Sequence, residues 1–464
     1  MENGTSVFEG WFHMLFRKAK KEIENWLDQG KDALLVTGVR QCGKTYLVKE
    51  TLKERGVSYV EFNFIKTPSL KGIFQSAIDA DADKFLAELI VAARKPLKDG
   101  DVIFLDEVQE IKDVVTVIKF LVEQGRYRYI LSGSLLGVEL KGLRSAPVGY
   151  LTTVDMYPLD LEEFYIANGL GEDVIERIKG NFEKKEPVDD FIHNALIEAF
   201  YRYLIVGGMP EAVQKYVDTQ DLNAMSRIHK KIYREYKRDF TKYEAEKKLK
   251  LIRTYDLIPS ELSQKNKRYQ FTDLDPELHF DRYENSFNWL IDAGVAIPVY
   301  NVTEFAIPLE ASKKSNLFKL FLSDVGMLTT FYGPATQLKL LSRGKDINCG
   351  ATFENFVAEE LNSHGFKCFY FNSKKHGEID FLVEYGGNLL PIEVKSGKDY
   401  QKHSALTYFI STDQFKSAIV LSDYNVQEKG NILYLPIYMT MFLHNDFELG
   451  KPEKIDLSIL SKRG

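Results

Sequence analysis

The sequence predicts an α/β fold in which a parallel sheet leads, a helical region follows and a second, mixed α/β domain closes the chain. Three observations carry that expectation. Between Lys31 and about Pro158, short apolar runs alternate with helix-length segments, the pattern of a parallel sheet with helices on its faces. Glu, Lys, Tyr and Ile then recur at helical spacing as far as about Leu262. Mixed helix and strand patterns return from about Ser312. At 464 residues the chain exceeds what one hydrophobic core supports, so several domains are expected.

In chain order, residues 1–30 read as an amphipathic helix, with Trp11, Phe12, Leu15 and Phe16 among Arg17, Lys18, Lys20 and Lys21. So much charge breaks the apolar segment that a signal peptide needs. The first domain, 31–165, has five expected strands: Ala33 to Thr37, Ser58 to Asn63, Val102 to Asp106, Tyr127 to Ser132 and Tyr150 to Met156. A helical region at 166–262 is broken at Gly207, Gly208 and Pro210. Asp281 to Val299 reads as a helix followed by a strand, which fits a small winged-helix-like module at 263–311. The last domain, 312–464, carries a hairpin signal at Gly386-Gly387.

Composition narrows the function classes. With 44% hydrophobic and 28% charged residues, intrinsic disorder and low-complexity classes are excluded. A net charge of -6 provides no global basic field, so DNA or RNA binding would need a local patch. Cys42, Cys349 and Cys368 form no C-x-x-C pair and no metal-ligand spacing, which points to a reducing, cytoplasmic location. No apolar run approaches the roughly 18 residues of a membrane span, so no membrane partner is expected.

Gly38-Val39-Arg40-Gln41-Cys42-Gly43-Lys44-Thr45 fits G-x-x-x-x-G-K-[ST], between an apolar strand and a helix-forming segment. The glycines let backbone N–H groups turn toward phosphate oxygens, and the helix N-terminus adds partial positive charge. Lys44 is expected to reach the terminal phosphates and the Thr45 hydroxyl to take a place on Mg2+. Cys42 contributes its backbone rather than its thiol. A second motif follows. Val102-Ile103-Phe104-Leu105-Asp106-Glu107 is an apolar strand ending in two carboxylates, Asp106 placed to hold Mg2+ through water and Glu107 to orient or deprotonate the attacking water. Ser132 and Ser134 flank Gly133 and are candidates for sensing the terminal phosphate, although a Ser-Gly turn accounts for them almost as well. ATP and Mg2+ are therefore the expected cofactors.

A second cluster lies near the C-terminus. Glu378-Ile379-Asp380-Phe381-Leu382-Val383 and Leu390-Pro391-Ile392-Glu393-Val394-Lys395 flank the hairpin turn, and alternation places Glu393 and Lys395 on one face, with Asp380 on the partner strand. Upstream, Glu354 lies beside the apolar stripe of a helix over Phe353 to Leu361. Converging carboxylates bind Mg2+ or Mn2+, and an adjacent lysine assists phosphodiester cleavage. On D…E-x-K alone, a cross-strand salt-bridged hairpin is the simpler reading. Pro391, which cannot donate to a ladder, suggests an edge position or a strand start.

Lys230, Lys231, Arg234, Lys237, Arg238, Lys242, Lys247, Lys248 and Lys250, interleaved with Tyr233, Tyr236, Phe240 and Tyr243, could track a phosphate backbone. Interrupted by Glu235, Asp239, Glu244 and Glu246, they fit a solvated helix face better. His364, His376 and His403 lack metal spacing and read as surface or hydrogen-bonding histidines.

With both motifs in place, the chain resembles, nearly end to end, the bacterial and archaeal AAA-type P-loop ATPases that carry a C-terminal domain of unknown function with a PD-(D/E)xK nuclease-like core. Besides the two nucleotide motifs, the resemblance rests on Pro147-Val148-Gly149-Tyr150, Met156 to Phe164, Val206 to Val213, Leu322 to Leu328, Phe353 to Leu361, Glu378 to Val383 and Pro391 to Gly397. It implies that the Ser132 strand lies between the Gly38 and Asp106 strands, and that a helical lid and a winged-helix-like region precede the nuclease-like domain. It further implies that Asp380, Glu393 and Lys395 match the nuclease-like core, with Glu354 as the helical carboxylate. Ile379 departs from the proline of that label. No arginine finger is evident, and Arg144 is the best candidate.

Two functions compete, with a small-molecule P-loop kinase as a third and weaker alternative. One is an ATPase that repositions a nuclease-like or nucleic-acid-binding domain, with a second divalent metal, Mg2+ or Mn2+, at the C-terminal site. The other is a nucleotide-controlled switch or scaffold that binds a partner without cutting. DNA or RNA and further copies of the chain are the partners to test.

Overall fold

The computed structural model describes residues 15–72, 82–111, 114–134, 149–240, 245–264, 267–270, 283–344 and 349–446. Residues 1–14 of the expected N-terminal helix, Arg144, Pro147, Val148, Lys242, Tyr243, Glu244 and Asp281 lie outside them.

Strands β1 (Ala33–Gly38), β2 (Tyr59–Asn63), β3 (Val102–Asp106), β4 (Arg128–Ser132) and β5 (Leu151–Met156) form an all-parallel sheet in the order β2-β3-β4-β1-β5. Each lies within one residue of its expected span at either end. Because successive strand residues point to opposite faces, the sheet feeds two cores. Leu34, Val36, Val102, Phe104 and Ile130 enter one, and Ala33, Leu35, Ile103, Leu105 and Leu131 enter the other. Register sets Ser132 beside both Asp106 and Val36, so β4 does lie between the two motif strands.

Helices follow from Leu161 to Ser263, and their starts carry local signals. Asp160 and Glu163 form a reciprocal capping box before Leu161–Ala167. Asp189 caps Asp190–Val206, and Pro210 occupies the first turn of Pro210–Thr219. Between those two helices the chain turns at Gly207, whose φ is +67°. A Cβ on Gly208 would stand 2.1 Å from the Leu159 carbonyl oxygen, so only glycine fits there. The turn is held from outside by Asp324, which accepts from the N–H groups of Gly208 (2.8 Å) and Met209 (3.1 Å) and also caps Val325–Tyr332 through Met327 N–H (2.8 Å).

The C-terminal sheet has eight strands: β6 (Ala296–Val302), β7 (Lys313–Leu322), β8 (Phe369–Ser373), β9 (Gly377–Tyr385), β10 (Asn388–Val394), β11 (Ala418–Ser422), β12 (Gln427–Lys429) and β13 (Ile432–Pro436). Their order is β12-β13-β11-β10-β9-β8-β6-β7. Two expectations change here. The helix-then-strand of the expected winged-helix-like module is present as Glu284–Asp292 and β6, and β6 forms a wing-like hairpin with β7. That hairpin also pairs through β6 with β8, so a boundary at 311 falls inside one sheet. The physical reason is burial: Ala296, Val299, Phe318, Leu320 and Phe321 are all core residues, and an isolated hairpin cannot cover them. Asn355 ties the hairpin to helix Gly350–Ser363 by bonding both backbone groups of Leu322, at 2.9 and 3.0 Å. Second, β10 is an interior strand, flanked by β9 and β11, and not an edge. Pro391 is tolerated because registered pairing with β11 begins one residue later, at Ile392.

The Gly386-Gly387 hairpin joins β9 to β10 as expected, with both glycines at positive φ. One core cluster runs from Ile23 through the helical region to Leu443, so the helices and both sheets pack as neighbours rather than as beads on linkers. No described helix is long and apolar enough to cross a membrane.

Asp324→Ala should leave three backbone donors unpaired in a site where Asp324 is 1% exposed, destabilising the chain by about 3 kcal/mol. Asp324→Asn, which keeps one acceptor oxygen, should lose less. Urea unfolding followed by fluorescence reads the difference.

Candidate nucleotide site and C-terminal acidic cluster

The loop from Gly38 to Thr45 leaves the C-terminal end of β1 and enters helix Lys44–Glu54. Gly38 (φ +135°) and Gly43 (φ +95°) hold conformations that side chains resist, and a Cβ on Gly38 would lie 2.0 Å from the Met156 carbonyl oxygen. Lys44 folds back, its Nζ donating at 2.9 Å to the carbonyls of both Gly38 and Val39. The Thr45 hydroxyl lies 3.0 and 3.1 Å from the two Asp106 oxygens. Asp106 also accepts from Asn63 Nδ2 (2.6 Å) and from the Ser132 hydroxyl.

The Ser132 hydroxyl thus faces the Asp106 carboxylate. Ser134 is buried just beyond β4. Glu107 takes a left-handed conformation (φ +61°) and accepts from the Gln109 amide. Asn63 was missed by sequence reasoning; its signal was position, at the end of β2 and in register with Asp106.

The other loop side chains are engaged from outside. Arg40 pairs with Asp239 at 2.6 Å and Gln41 bonds Glu235, both acids on helix Leu222–Phe240. Arg17 is buried, and its guanidinium donates to the Cys42 carbonyl (3.0 Å), the Tyr157 carbonyl (2.6 Å) and Glu163 (3.1 Å). An apolar pocket of about 260 Å³ beside Gly43 is lined by Leu15, Arg17, Tyr46, Leu47, Pro210 and Gln214, among others. A cavity of about 370 Å³, reached by Thr37 to Val39 but by neither Lys44 nor Asp106, lies behind the loop.

From Arg17 a buried polar chain leads to the C-terminal domain. Glu163 and Asp160 share a capping box, Lys18 pairs with Asp160 at 2.7 Å, and Asp160 lies 3.6 Å from His364. Glu360 accepts from Leu161 N–H at 2.8 Å and lies 3.8 Å from His364. His364 is thus a buried ion-pairing residue and not a surface one, because Asp160 and Glu360 compensate its charge. Burial works against the imidazolium, but those two carboxylates outweigh it and hold the His364 pKa above its ordinary value. Burial pushes the Glu360 carboxyl up to about 7. His403 bonds Tyr434 at 2.8 Å and His376 stacks on Tyr408, as hydrogen-bonding and surface histidines would.

The four residues expected at the C-terminal site do converge. Glu354 from helix Gly350–Ser363, Asp380 from β9, Glu393 from β10 and Lys395 just beyond it line a cavity of about 410 Å³. Asp380 accepts from Val394 N–H at 2.9 Å, and Lys395 pairs with Glu393 at 2.6 Å. Sequence reasoning missed Lys319 on β7. Only 1% exposed, its Nζ lies 3.3 Å from Glu354, 2.5 Å from Glu378 and 4.0 Å from Asp380. Its signal was a lysine inside the apolar run Phe318 to Leu322. Lys267 also pairs with Glu354.

Burial works against the Lys319 ammonium, yet Glu354, Glu378 and Asp380 hold its pKa above that of an ordinary lysine. Burial, Glu393 and Glu354 push the Asp380 carboxyl well above its usual range. Among the described residues, no three or more His, Cys, Asp or Glu side chains are grouped to hold a metal ion. The basic helix face is largely paired within the chain: Lys231 with Glu211, and Lys237 with Asp256.

Residues 30–165 match the family model of an AAA domain. Residues 197–338 match a domain of unknown function (DUF8612), across the expected boundaries at 262 and 311. Residues 349–439 match another (DUF4143). Among curated proteins, none matches the chain. Similar solved structures include a Walker-type ATPase of Pyrococcus abyssi, at 14% identity over 69% of this chain and 96% of that one, with a TM-score of 0.41. The RuvB Holliday junction branch migration motor of Thermotoga maritima is 14% identical over 60% and 87%, with a TM-score of 0.29. The ORC1 protein of Aeropyrum pernix, in complex with DNA, is 11% identical over 72% and 97%, with a TM-score of 0.29.

Because folding raises the His364 pKa, its stabilising contribution is full below the ordinary imidazole value and fades as pH rises through the folded value. His364→Gln should therefore cost more stability at pH 6 than at pH 8.5, as read by paired denaturation curves.

Proposed function

We propose that this chain is an ATP-hydrolysing switch whose nucleotide site is joined by buried contacts to a C-terminal α/β domain that engages a partner, with nucleic acid the first to test. One observation carries the catalytic half: the Thr45 hydroxyl and Asp106 meet at the floor of the loop, as a shared Mg2+ position requires. The donor set suits ATP with Mg2+, since loop N–H groups at Gly38 to Thr45 and Lys44 would hold the phosphates while Thr45 and Asp106 would hold the ion. Mg2+, when bound, supplies charge neutralisation at the phosphates.

The chain's own groups do the rest. Lys44 exchanges its two carbonyl partners for phosphate oxygens. Asn63 and Ser132 orient Asp106, and Glu107 positions and deprotonates water. The apolar pocket beside Gly43, lined by Tyr46, Leu47 and Pro210 among others, would take the base. Pro210 begins a helix whose preceding turn is gripped by Asp324, so nucleotide contact there is felt at Val325–Tyr332.

Lys44→Ala should abolish ATP binding. Glu107→Gln should keep binding and lower turnover by about 10²-fold or more, the usual contribution of a general base. Arg17→Met should weaken ATP binding by about tenfold through loss of a charge-assisted hold on the loop. Nucleotide titration and phosphate release measure all three, and unchanged turnover in Glu107→Gln would remove Glu107 from the mechanism.

A narrower reading, that the C-terminal domain cleaves nucleic acid, is favoured by the convergence of Glu354, Asp380, Glu393 and Lys395. It requires cutting of single-stranded, duplex or branched DNA with Mg2+ or Mn2+ that Asp380→Ala abolishes. Absence of cutting on every substrate leaves the switch.

A further inference from the structure

We infer that the Lys319 ammonium, rather than a divalent cation, is the resident counter-charge of the C-terminal carboxylate cluster. Four carboxylates, Glu354, Glu378, Asp380 and Glu393, face three ammonium groups, Lys267, Lys319 and Lys395. A hard cation needs several oxygens aimed at one point, at roughly 2.0 to 2.6 Å from the ion. Here the oxygens are aimed elsewhere. Glu354 divides its two between Lys267 and Lys319, Glu378 turns to Lys319, Glu393 gives Oε1 to Lys395, and Asp380 gives Oδ2 to Val394 N–H.

Glu393 Oε2 is buried with no hydrogen-bond partner among the described residues, and Asp380 Oδ1 is 4.0 Å from Lys319. These two oxygens alone would leave a divalent ion to fill the rest of its shell with water, directly beside the Lys319 ammonium.

Lys319 cannot easily leave. It projects from β7, which pairs with β6 in the sheet, and between Phe318 and Leu320 it is 1% exposed. An ammonium in such a place stays charged only because carboxylates surround it, and against the burial of Glu354 it helps, with Lys267, to keep that carboxylate ionised. A divalent ion entering the cluster would bring two positive charges beside an immobile third. The centre is thus closed to metal by a residue the chain supplies, which favours the switch over cleavage by metal-activated water.

The test uses the full chain without nucleotide and Mn2+ as the probe, counted by electron paramagnetic resonance. Any Mn2+ at the P-loop is independent of Asp380, so the informative quantity is binding that Asp380→Asn removes. None is expected in the wild type. Lys319→Met should acquire one such Mn2+ per chain, lost again in the Lys319→Met, Asp380→Asn double variant, and Mn2+ should raise the melting temperature of Lys319→Met alone. Wild-type binding that Asp380→Asn removes overturns the inference, as does a folded Lys319→Met that gains no site. Should Lys319→Met fail to fold by circular dichroism, the comparison of wild type with Asp380→Asn decides the matter by itself.

Discussion

The buried Arg17 guanidinium is the contact on which the rest of the structure depends. A phosphate loop built from Gly38, Gln41 and Gly43 at positive φ has few conformational preferences of its own to hold it open. Its shape has to be imposed by neighbours. Arg17 does this from below, with one arm on the Cys42 carbonyl, one on the Tyr157 carbonyl and its Nε on Glu163. Arg40 and Gln41 are gripped from the helical side by Asp239 and Glu235. A guanidinium suits the first task because it is planar, permanently charged and able to donate in three directions at once.

Once Glu163 is committed to Arg17, the Asp160 turn is set, and with it the approach of helix Gly350–Ser363. That helix buries nearly everything it carries. Glu354 enters the lysine cluster, Asn355 binds β7, Glu359 accepts from Tyr203, and Glu360 receives Leu161 N–H. Two sites that are far apart in the chain are therefore attached to one rigid element. A second route runs through Asp324, which grips the Gly208 turn and caps the helix after β7. Both routes consist of packed groups joined by hydrogen bonds and close ion pairs.

How legible this was in the sequence depended on whether the signal was local. The five strands of the first sheet were readable from apolar runs, and the loop and Asp106-Glu107 from short motifs whose spacing is set by the chemistry of phosphate and Mg2+. Gly386-Gly387 was readable for the same reason, since only a tight turn needs it. Arg17, Asn63, Asp324 and Lys319 were not singled out, because each acts on residues tens to hundreds of positions away. The winged-helix-like module was drawn with a boundary because a helix and strand look complete on their own, whereas the pairing of β6 with β8 is decided by burial across a sheet. His364 read as a surface or hydrogen-bonding residue since nothing in its neighbourhood along the chain announces Asp160. Pro391 misled in a narrower way: a missing N–H excludes a residue from donating, but not from an interior strand, and Pro391 is registered with Leu382 of β9 while pairing with β11 starts one residue later.

The two buried lysines show why one site is poised for a ligand and the other is not. Lys44 is held by two neutral carbonyls of its own loop, each a modest hydrogen bond that a doubly charged phosphate oxygen cluster readily replaces. Lys319 is held by full negative charges in a place that water hardly reaches, where separation would strand a charge on each side. The first lysine gains by changing partners and the second loses. A motif marks Lys44 in the sequence, whereas Lys319 stands among apolar neighbours with no motif around it, and only its partners in space show a group that has already been neutralised.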